Sequence, residues 1–155
     1  MPRPYSPLQA RLGDVFMRCM SRANTALYRA SGGRVGGRFR HGAPVCLVTV
    51  TGRKSGRPRT VPLLYLRDGD DIVIVASKGG MPRHPLWYLN LLAEPRATVE
   101  VGRERTEVVC RTADPDERAR LWPKLTEMYR DYDSYQARTD REIPVVICSP
   151  VAEAG

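Results

Sequence analysis

The residues with the most chemical content lie between positions 51 and 62, in the run Thr51-Gly52-Arg53-Lys54-Ser55-Gly56-Arg57-Pro58-Arg59-Thr60-Val61-Pro62. Two glycines bracket a tight turn that carries four cations and a hydroxyl. Bare glycine backbone and Ser55 present N–H and O–H donors, and Arg53, Lys54 and Arg59 add charge-assisted hydrogen bonds. Such a turn suits a phosphate; its bland alternative is a solvated basic hairpin tip. It is not a Walker A loop, because no glycine stands five residues before Gly52 and a strand pattern follows. A second candidate is Ser77-Lys78-Gly79-Gly80, where a strand end opens into a turn with a hydroxyl, an ammonium and bare backbone. His84, a few residues on, reads either as a general acid or as a structural residue opening a helix.

A third candidate is the trio Tyr129, Tyr132 and Tyr135, spaced by three on one side of a helical or turn-like segment. Three phenols there can form a wall that binds or protonates an aromatic substrate, or can sit half-buried at a helix end. The sequence has no Ser-His-Asp order, no H-E-x-x-H, and no carboxylate pair in an apolar setting. Its side chains perform no hydride or electron chemistry unaided, so a bound cofactor is expected to bring the reactivity.

Charge supports an anionic ligand. The 155 residues carry 25 Lys+Arg and 17 Asp+Glu, a formal net charge of +8. Twelve of those bases but only one acid, Asp14, fall in residues 1–60, so the whole surplus comes from there. That bias calls for nucleic acid, a membrane surface, or a phosphorylated or carboxylated ligand. Nucleic acid fits poorly: the only aromatics in this part are Tyr5, Phe16, Tyr28 and Phe39, too few to interleave with the arginines for base stacking. Cys19, Cys46, Cys110 and Cys148 lie far apart with no C-x-x-C spacing and no nearby histidine, so reduced, buried thiols are expected and no metal site. No apolar run approaches the ~20 residues of a membrane span, and no signal-peptide pattern opens the chain. The expected compartment is the cytoplasm.

The elements that must position these residues read clearly. Leu8, Leu12, Val15, Phe16, Cys19, Met20, Ala23 and Leu27 form one stripe of an amphipathic helix over residues 8–29, with Arg11, Arg18, Arg22 and Arg29 on another face. That basic face is either solvated or touches anionic lipid. A glycine-rich connector spans 32–42. Strands are expected at 45–51, 60–67, 71–76, 97–101, 105–112 and 143–148, with a hairpin turn at Asp68-Gly69-Asp70 and another at Gly102. Helices are expected at 84–93 and, behind the cap Asp114-Pro115-Asp116-Glu117, at 115–129. Six strands joined by hairpins predict an α+β fold: a small, mostly antiparallel barrel, closed or partly open, with flanking helices. Residues 1–43 are the helix and connector and 44–155 the barrel, as one domain overall.

Taken together, several segments resemble the deazaflavin-dependent nitroreductase family of actinobacteria. They are Thr49-Val50-Thr51-Gly52-Arg53-Lys54-Ser55-Gly56 through Arg59 and Pro62-Leu63; Ala76-Ser77-Lys78-Gly79-Gly80; Pro85-Leu86-Trp87-Tyr88-Leu89-Asn90-Leu91; and Thr139-Asp140-Arg141-Glu142-Ile143-Pro144-Val145-Val146. Met20-Ser21-Arg22-Ala23-Asn24 also matches, so the resemblance covers nearly the whole chain. It implies an FMN-binding-like split β-barrel holding coenzyme F420, a deazaflavin with a phosphate and a polyglutamate tail. It also implies hydride transfer from the reduced cofactor to a quinone or nitroaromatic. By that resemblance Arg53, Lys54, Ser55 and Arg59 hold the phosphate and acidic tail. Thr60, Val61, Pro62, Leu63 and Leu64, with Val75, Ala76, Ser77 and Lys78, line the deazaflavin. Leu86, Trp87, Tyr88, Leu89 and Asn90 close the pocket, and Tyr132 faces the acceptor with Tyr129 and Tyr135. Arg130 stands where members often carry proline after the first of these tyrosines. Two alternatives share the barrel: an FMN-dependent oxidoreductase, isolated as a yellow protein, and an F420-binding or storage protein without turnover.

Overall fold

The computed structural model describes residues 6–151, with residues 10–21 described in their backbone alone. Helix α1 (Pro7–Ser31) leads through a glycine-rich connector to β1 (Val45–Thr51), β2 (Pro58–Leu64), β3 (Leu66–Asp68) and β4 (Asp71–Val75). Then come α2 (Leu86–Ala93), β5 (Arg96–Val101), β6 (Glu104–Thr112), α3 (Pro115–Met128), α4 (Asp131–Ala137) and β7 (Val145–Pro150). The strands form one sheet in the order β2-β1-β5-β6-β7-β4-β3, every neighbouring pair antiparallel.

Seven strands stand where six were expected, and the reason is physical. The run expected as one strand over 60–67 serves both edges of the sheet: β2 pairs with β1 and β3 with β4. At Tyr65 the ladder changes partner, its N–H donating instead to the carbonyl of Pro44 at 3.2 Å. The chain thus passes from one edge of the sheet to the other and curls it into a barrel-like half-shell. Both outermost strands are short or adjoin this corner, which limits exposed edge.

Strand period two divides the side chains between two cores. Cys46, Val48, Val50, Ile72, Ile74, Val99, Val108, Cys110 and Cys148 point inward, where Trp87, Tyr88 and Leu91 of α2 plug one end. Val73, Val75, Val145 and Ile147 point outward into a second core completed by Leu121 and Leu125 of α3 with Tyr129 and Tyr132. Because β4 and β7 are buried on both faces, they read as unbroken apolar runs rather than alternating ones. Helix α3 begins on a capping box of Asp114 and Glu117 and ends at Met128, so that Tyr129 is its C-cap rather than its last helical residue. The tyrosine segment, open between helix and turn in the sequence, forms α4.

Helix α1 starts on a Ser6–Gln9 capping box and stops at Gly32, whose φ of 63° is the left-handed conformation that glycine accepts without strain. Leu8, Ala23 and Leu27 are exposed, and stripe members 12–20 lie outside the described side chains. Among the described residues the helix is held by its last turn. Tyr28, 2% exposed, packs on Val45 and Leu47; its hydroxyl donates to the Val45 carbonyl at 3.1 Å and accepts the Gly102 N–H at 2.7 Å. Arg29 pairs with Glu100 at 2.9 Å.

Removing that hydroxyl orphans a backbone donor and a carbonyl, so Tyr28→Phe is expected to cost about 1–3 kcal/mol. Urea unfolding checks this: a midpoint equal to the parent's shows that the hydroxyl anchors nothing.

Candidate active site

In an antiparallel sheet the strand direction alternates, so β1 and β4, four steps apart, run in the same sense. The segment after Thr51 and the segment after Val75 therefore leave the barrel at one end. Helix α2, which follows the second, plugs that same end with Trp87, Tyr88 and Leu91. This topology brings two of the three candidate segments together, and packing adds the third. A Cβ on Gly80 would lie 2.5 Å from the carbonyl oxygen of Tyr135, so the Lys78–Gly80 turn sits directly on α4.

The 52–57 turn is closed by Gly52 N–H to Arg57 O and Gly56 N–H to Gly52 O, both 2.8 Å. Gly56 has φ +68°, a conformation glycine adopts without strain, and a Cβ on Gly52 would press on the Ser55 hydroxyl at 2.7 Å. Ser55 is spent locally, its hydroxyl accepting the Arg57 N–H at 3.2 Å. Asn90 of α2, the one buried polar residue in the described core, accepts from the Arg53 N–H at 3.1 Å and from its guanidinium at 3.0 Å. Asn90 therefore works as an anchor for the turn. Lys54, Arg57 and Arg59 are exposed and their side chains make no hydrogen bond or ion pair among the described residues. Three unneutralised cations around a glycine turn fit a phosphorylated, polyanionic ligand.

The β2 residues expected to line one surface are split by the pleat. Val61 and Leu63 pack on the interior core with Cys46, Val48 and Val50. Leu64 faces Tyr28 and Val45 on the opposite side. Pro62 shares that register with Leu47, and the Thr60 hydroxyl meets Thr49 at 2.8 Å and Arg29 at 3.3 Å. Val75 and Ala76 are buried, in the outer and inner cores respectively. Ser77 gives its carbonyl to Arg141, and Lys78 takes the uncommon φ of +46°. On α2, Leu86 is exposed and Leu89 half-buried, while Trp87 and Tyr88 are core; the Tyr88 hydroxyl reaches Thr112 at 2.9 Å.

The tyrosines form a cluster. Tyr129 and Tyr132 meet edge to face at 5.1 Å between ring centroids, and the Tyr129 and Tyr135 hydroxyls are 2.9 Å apart. Tyr132, the one expected to face an acceptor, is only 3% exposed and packs in the outer core; Tyr135 is the accessible member. Burial pushes the Tyr132 phenol above its ordinary range, and burial reinforced by Tyr135 and Asp131 does the same to Tyr129. Both are held as protonated phenols at neutral pH.

Sequence reasoning left one side chain without a role. Arg141 donates to the carbonyls of Ser77 at 2.7 Å, Met81 at 2.9 Å and Ala76 at 3.2 Å, and to His84 Nδ1 at 3.1 Å. Its own carbonyl accepts from Gln136 of α4 at 2.8 Å. The one available signal was an arginine amid Thr139-Asp140-Arg141-Glu142, just ahead of an apolar strand. His84 itself lines a cleft of about 260 Å³ with Tyr88, Thr112, Arg118 and Pro144.

The comparisons with known proteins meet this geometry. The family model for F420H(2)-dependent quinone reductases matches residues 20–150. The chain belongs to that family. It is accordingly an F420H2-dependent oxidoreductase with reduced coenzyme F420 as its hydride donor. An F420H(2)-dependent quinone reductase of Mycobacterium tuberculosis (strain ATCC 25618 / H37Rv) is 45% identical over 129 residues, 81% of this chain and 87% of that one. Among solved structures, an F420-H2 dependent reductase superposes with TM-score 0.65 at 41% identity, covering 68% of this chain and 94% of that one. A protein described as a domain-swapped dimer superposes with TM-score 0.67 at 35% identity, covering 83% and 95%. The split-barrel expectation and the family resemblance both hold.

Ionisation of the tyrosine cluster has a measurable consequence. A phenol whose folded pKa is raised stabilises the fold fully below its unfolded value near 10, and that contribution is lost as pH rises through the folded value. Tyr129 and Tyr132 should therefore stay protonated at pH 10.5 in spectrophotometric titration, while unfolding stability falls above about pH 10. Full titration of all seven tyrosines near pH 10 in the folded protein would contradict the burial described.

Proposed function

We propose that the chain reduces a quinone at the α2 end of the barrel, with the cofactor's phosphate and acidic tail held by the 52–59 turn and the tyrosine cluster facing the acceptor. The observation that carries this reading is the convergence of three segments on one end: the unneutralised cations, the Ser77–Lys78 turn and α4. When bound, the deazaflavin supplies the hydride. The protein's own part is binding, orientation and one proton. Lys54, Arg57 and Arg59 receive the anionic groups, while Asn90 fixes the turn that presents Arg53 and the Ser55 backbone. Val75, Ala76 and Ser77 offer a buried strand end as one wall and α2 another.

A quinone that gains a hydride still needs a proton to become the hydroquinone. The Tyr129–Tyr135 hydroxyl pair suits that step. Each phenol can accept from the other, so the outer one keeps its O–H for the acceptor, and burial holds the proton on Tyr129. Tyr132 backs the pair as an edge-on ring. A nitroaromatic is the other acceptor this wall fits, since it too is flat, apolar and proton-demanding.

Helix α1 bears on where the acceptor is met. No helix among the described residues is long and apolar enough to cross a membrane. Exposed Leu8 and Leu27 on a helix with basic residues on another face support peripheral contact with anionic lipid, where quinones partition. Co-sedimentation with anionic but not neutral vesicles, lost in Leu8→Glu/Leu27→Glu, is the expected result. Equal recovery in every supernatant removes lipid contact from the reading.

Fluorescence titration with F420 tests the cofactor arm. Lys54→Ala should weaken binding roughly tenfold, the scale of one charge-assisted hydrogen bond, and leave turnover at saturation near the parent's. Tyr135→Phe should bind normally and lose turnover by about a hundredfold, with a smaller kinetic loss for Tyr132→Phe. Absence of F420 binding at micromolar concentration, or the reverse ranking of Lys54 and the tyrosines, overturns these roles.

A further inference from the structure

We propose that Arg141 is a positioning residue that clamps the cofactor-side turn over residues 76–81 to the tyrosine helix α4, and that the clamp closes only around a neutral His84. The proposal rests on the reading above that this turn takes part in F420 binding.

A guanidinium has five N–H donors in a rigid planar fork and no acceptor. In Arg141 four of its contacts go to one short segment: Ala76 O, Ser77 O, Met81 O and His84 Nδ1. Among the described residues no carboxylate pairs with it. A half-buried cation committed to three carbonyl dipoles is an arrangement for holding backbone shape, since charge neutralisation would have used an acid.

The shape it holds is one the chain resists. Lys78, Gly79 and Gly80 have φ of +46°, +62° and +77°, three successive left-handed residues, and Lys78 is not glycine. A non-glycine residue there is strained and persists only where its surroundings over-determine it. Inside the turn two backbone hydrogen bonds help, Gly80 N–H to Ser77 O and Met81 N–H to Lys78 O. Arg141 supplies the outer half by capturing carbonyls on both sides of the strained residues. On the opposite side Gly80 lies against the Tyr135 backbone, and Gln136, one residue on, holds the Arg141 carbonyl. One residue thereby ties the turn and the tyrosine helix to a common frame.

The role of His84 follows from donor counting. Arg141 Nη1 can only donate, so Nδ1 of His84 must be the acceptor and its proton must sit on Nε2. A second proton on the ring removes the acceptor and sets one cation against another at 3.1 Å. The other groups facing the ring are the Tyr88 ring of α2 at 5.0 Å and, across the cleft, Thr112 of β6, Arg118 of α3 and the solvent-facing Glu142, which is already paired with Arg118. None offers a protonated His84 a free carboxylate. Burial and Arg141 both lower its pKa from the ordinary value, consistent with a ring kept neutral.

Hydrogen exchange on the cofactor-free protein and F420 titration together test the clamp. Arg141→Met and the conservative Arg141→Lys, whose point charge cannot span four acceptors, should each lose at least tenfold of the amide protection at Gly80 and Met81. Protection in β4 and β7 should stay at the parent's level. F420 affinity should fall by a similar factor, whereas kcat at saturating cofactor falls less. His84→Gln keeps an acceptor that does not titrate. The ratio of wild-type to His84→Gln affinity should decline as pH drops from about 7 to 5, the same buffers cancelling any titration of the ligand. Unchanged turn protection in Arg141→Lys overturns the clamp, and a flat affinity ratio overturns the part given to His84. If F420 binds no form of the protein, the cofactor reading has failed, and the exchange arm still decides whether Arg141 holds the turn.

Discussion

Alternation of strand direction is the constraint on which this candidate site depends. Because β1 and β4 run in the same sense, the cation-bearing turn and the Ser77–Gly80 turn must leave the barrel together, although 25 residues separate Gly52 from Ser77. The corner at Tyr65 makes this possible. It lets a single run serve both edges, so the sheet curls and the two ends of its strand order approach each other. Helix α2 then plugs the end where both turns emerge, and its inward residues are large and apolar for that reason. Asn90 is the exception, and it faces the one place where a turn needs an anchor.

Much of this was legible in the sequence, for identifiable reasons. Glycines at 52 and 56 mark the turn, and the cations between them have no local partner. The Asp114–Glu117 capping box fixes the start of α3 to the residue. What could not be read was anything that depends on one stretch meeting two partners. The division of 60–67 into β2 and β3 leaves no trace in composition, because both halves are β-prone and the break is a change of ladder rather than a turn. Likewise the pleat assigns Val61 and Leu63 to one core and Leu64 to another, which a list of consecutive lining residues cannot express. Tyr132 illustrates the same difficulty: period three places three phenols together but does not say which of them faces the protein interior. Helix α1 forms as the period demands, and its attachment among the described residues runs through Tyr28 and Arg29, whose partners at Val45, Gly102 and Glu100 lie far along the chain.

The cations of this site do two kinds of electrostatic work. Lys54, Arg57 and Arg59 stand in solvent, where a charge attracts anions over roughly 8 Å at physiological salt and is weakened by more. They suit capture of a polyanionic ligand and set no geometry, because long exposed side chains keep their rotamer freedom. Arg141 is the opposite case. Its partners are fixed carbonyl dipoles at hydrogen-bond distance, its surroundings are partly dry, and added salt reaches it little. A cofactor whose reactive ring must be placed to within about half an ångström needs the second kind as much as the first. Formal charge counts the two kinds alike, which is why an arginine outside the basic half of the sequence carries the geometry.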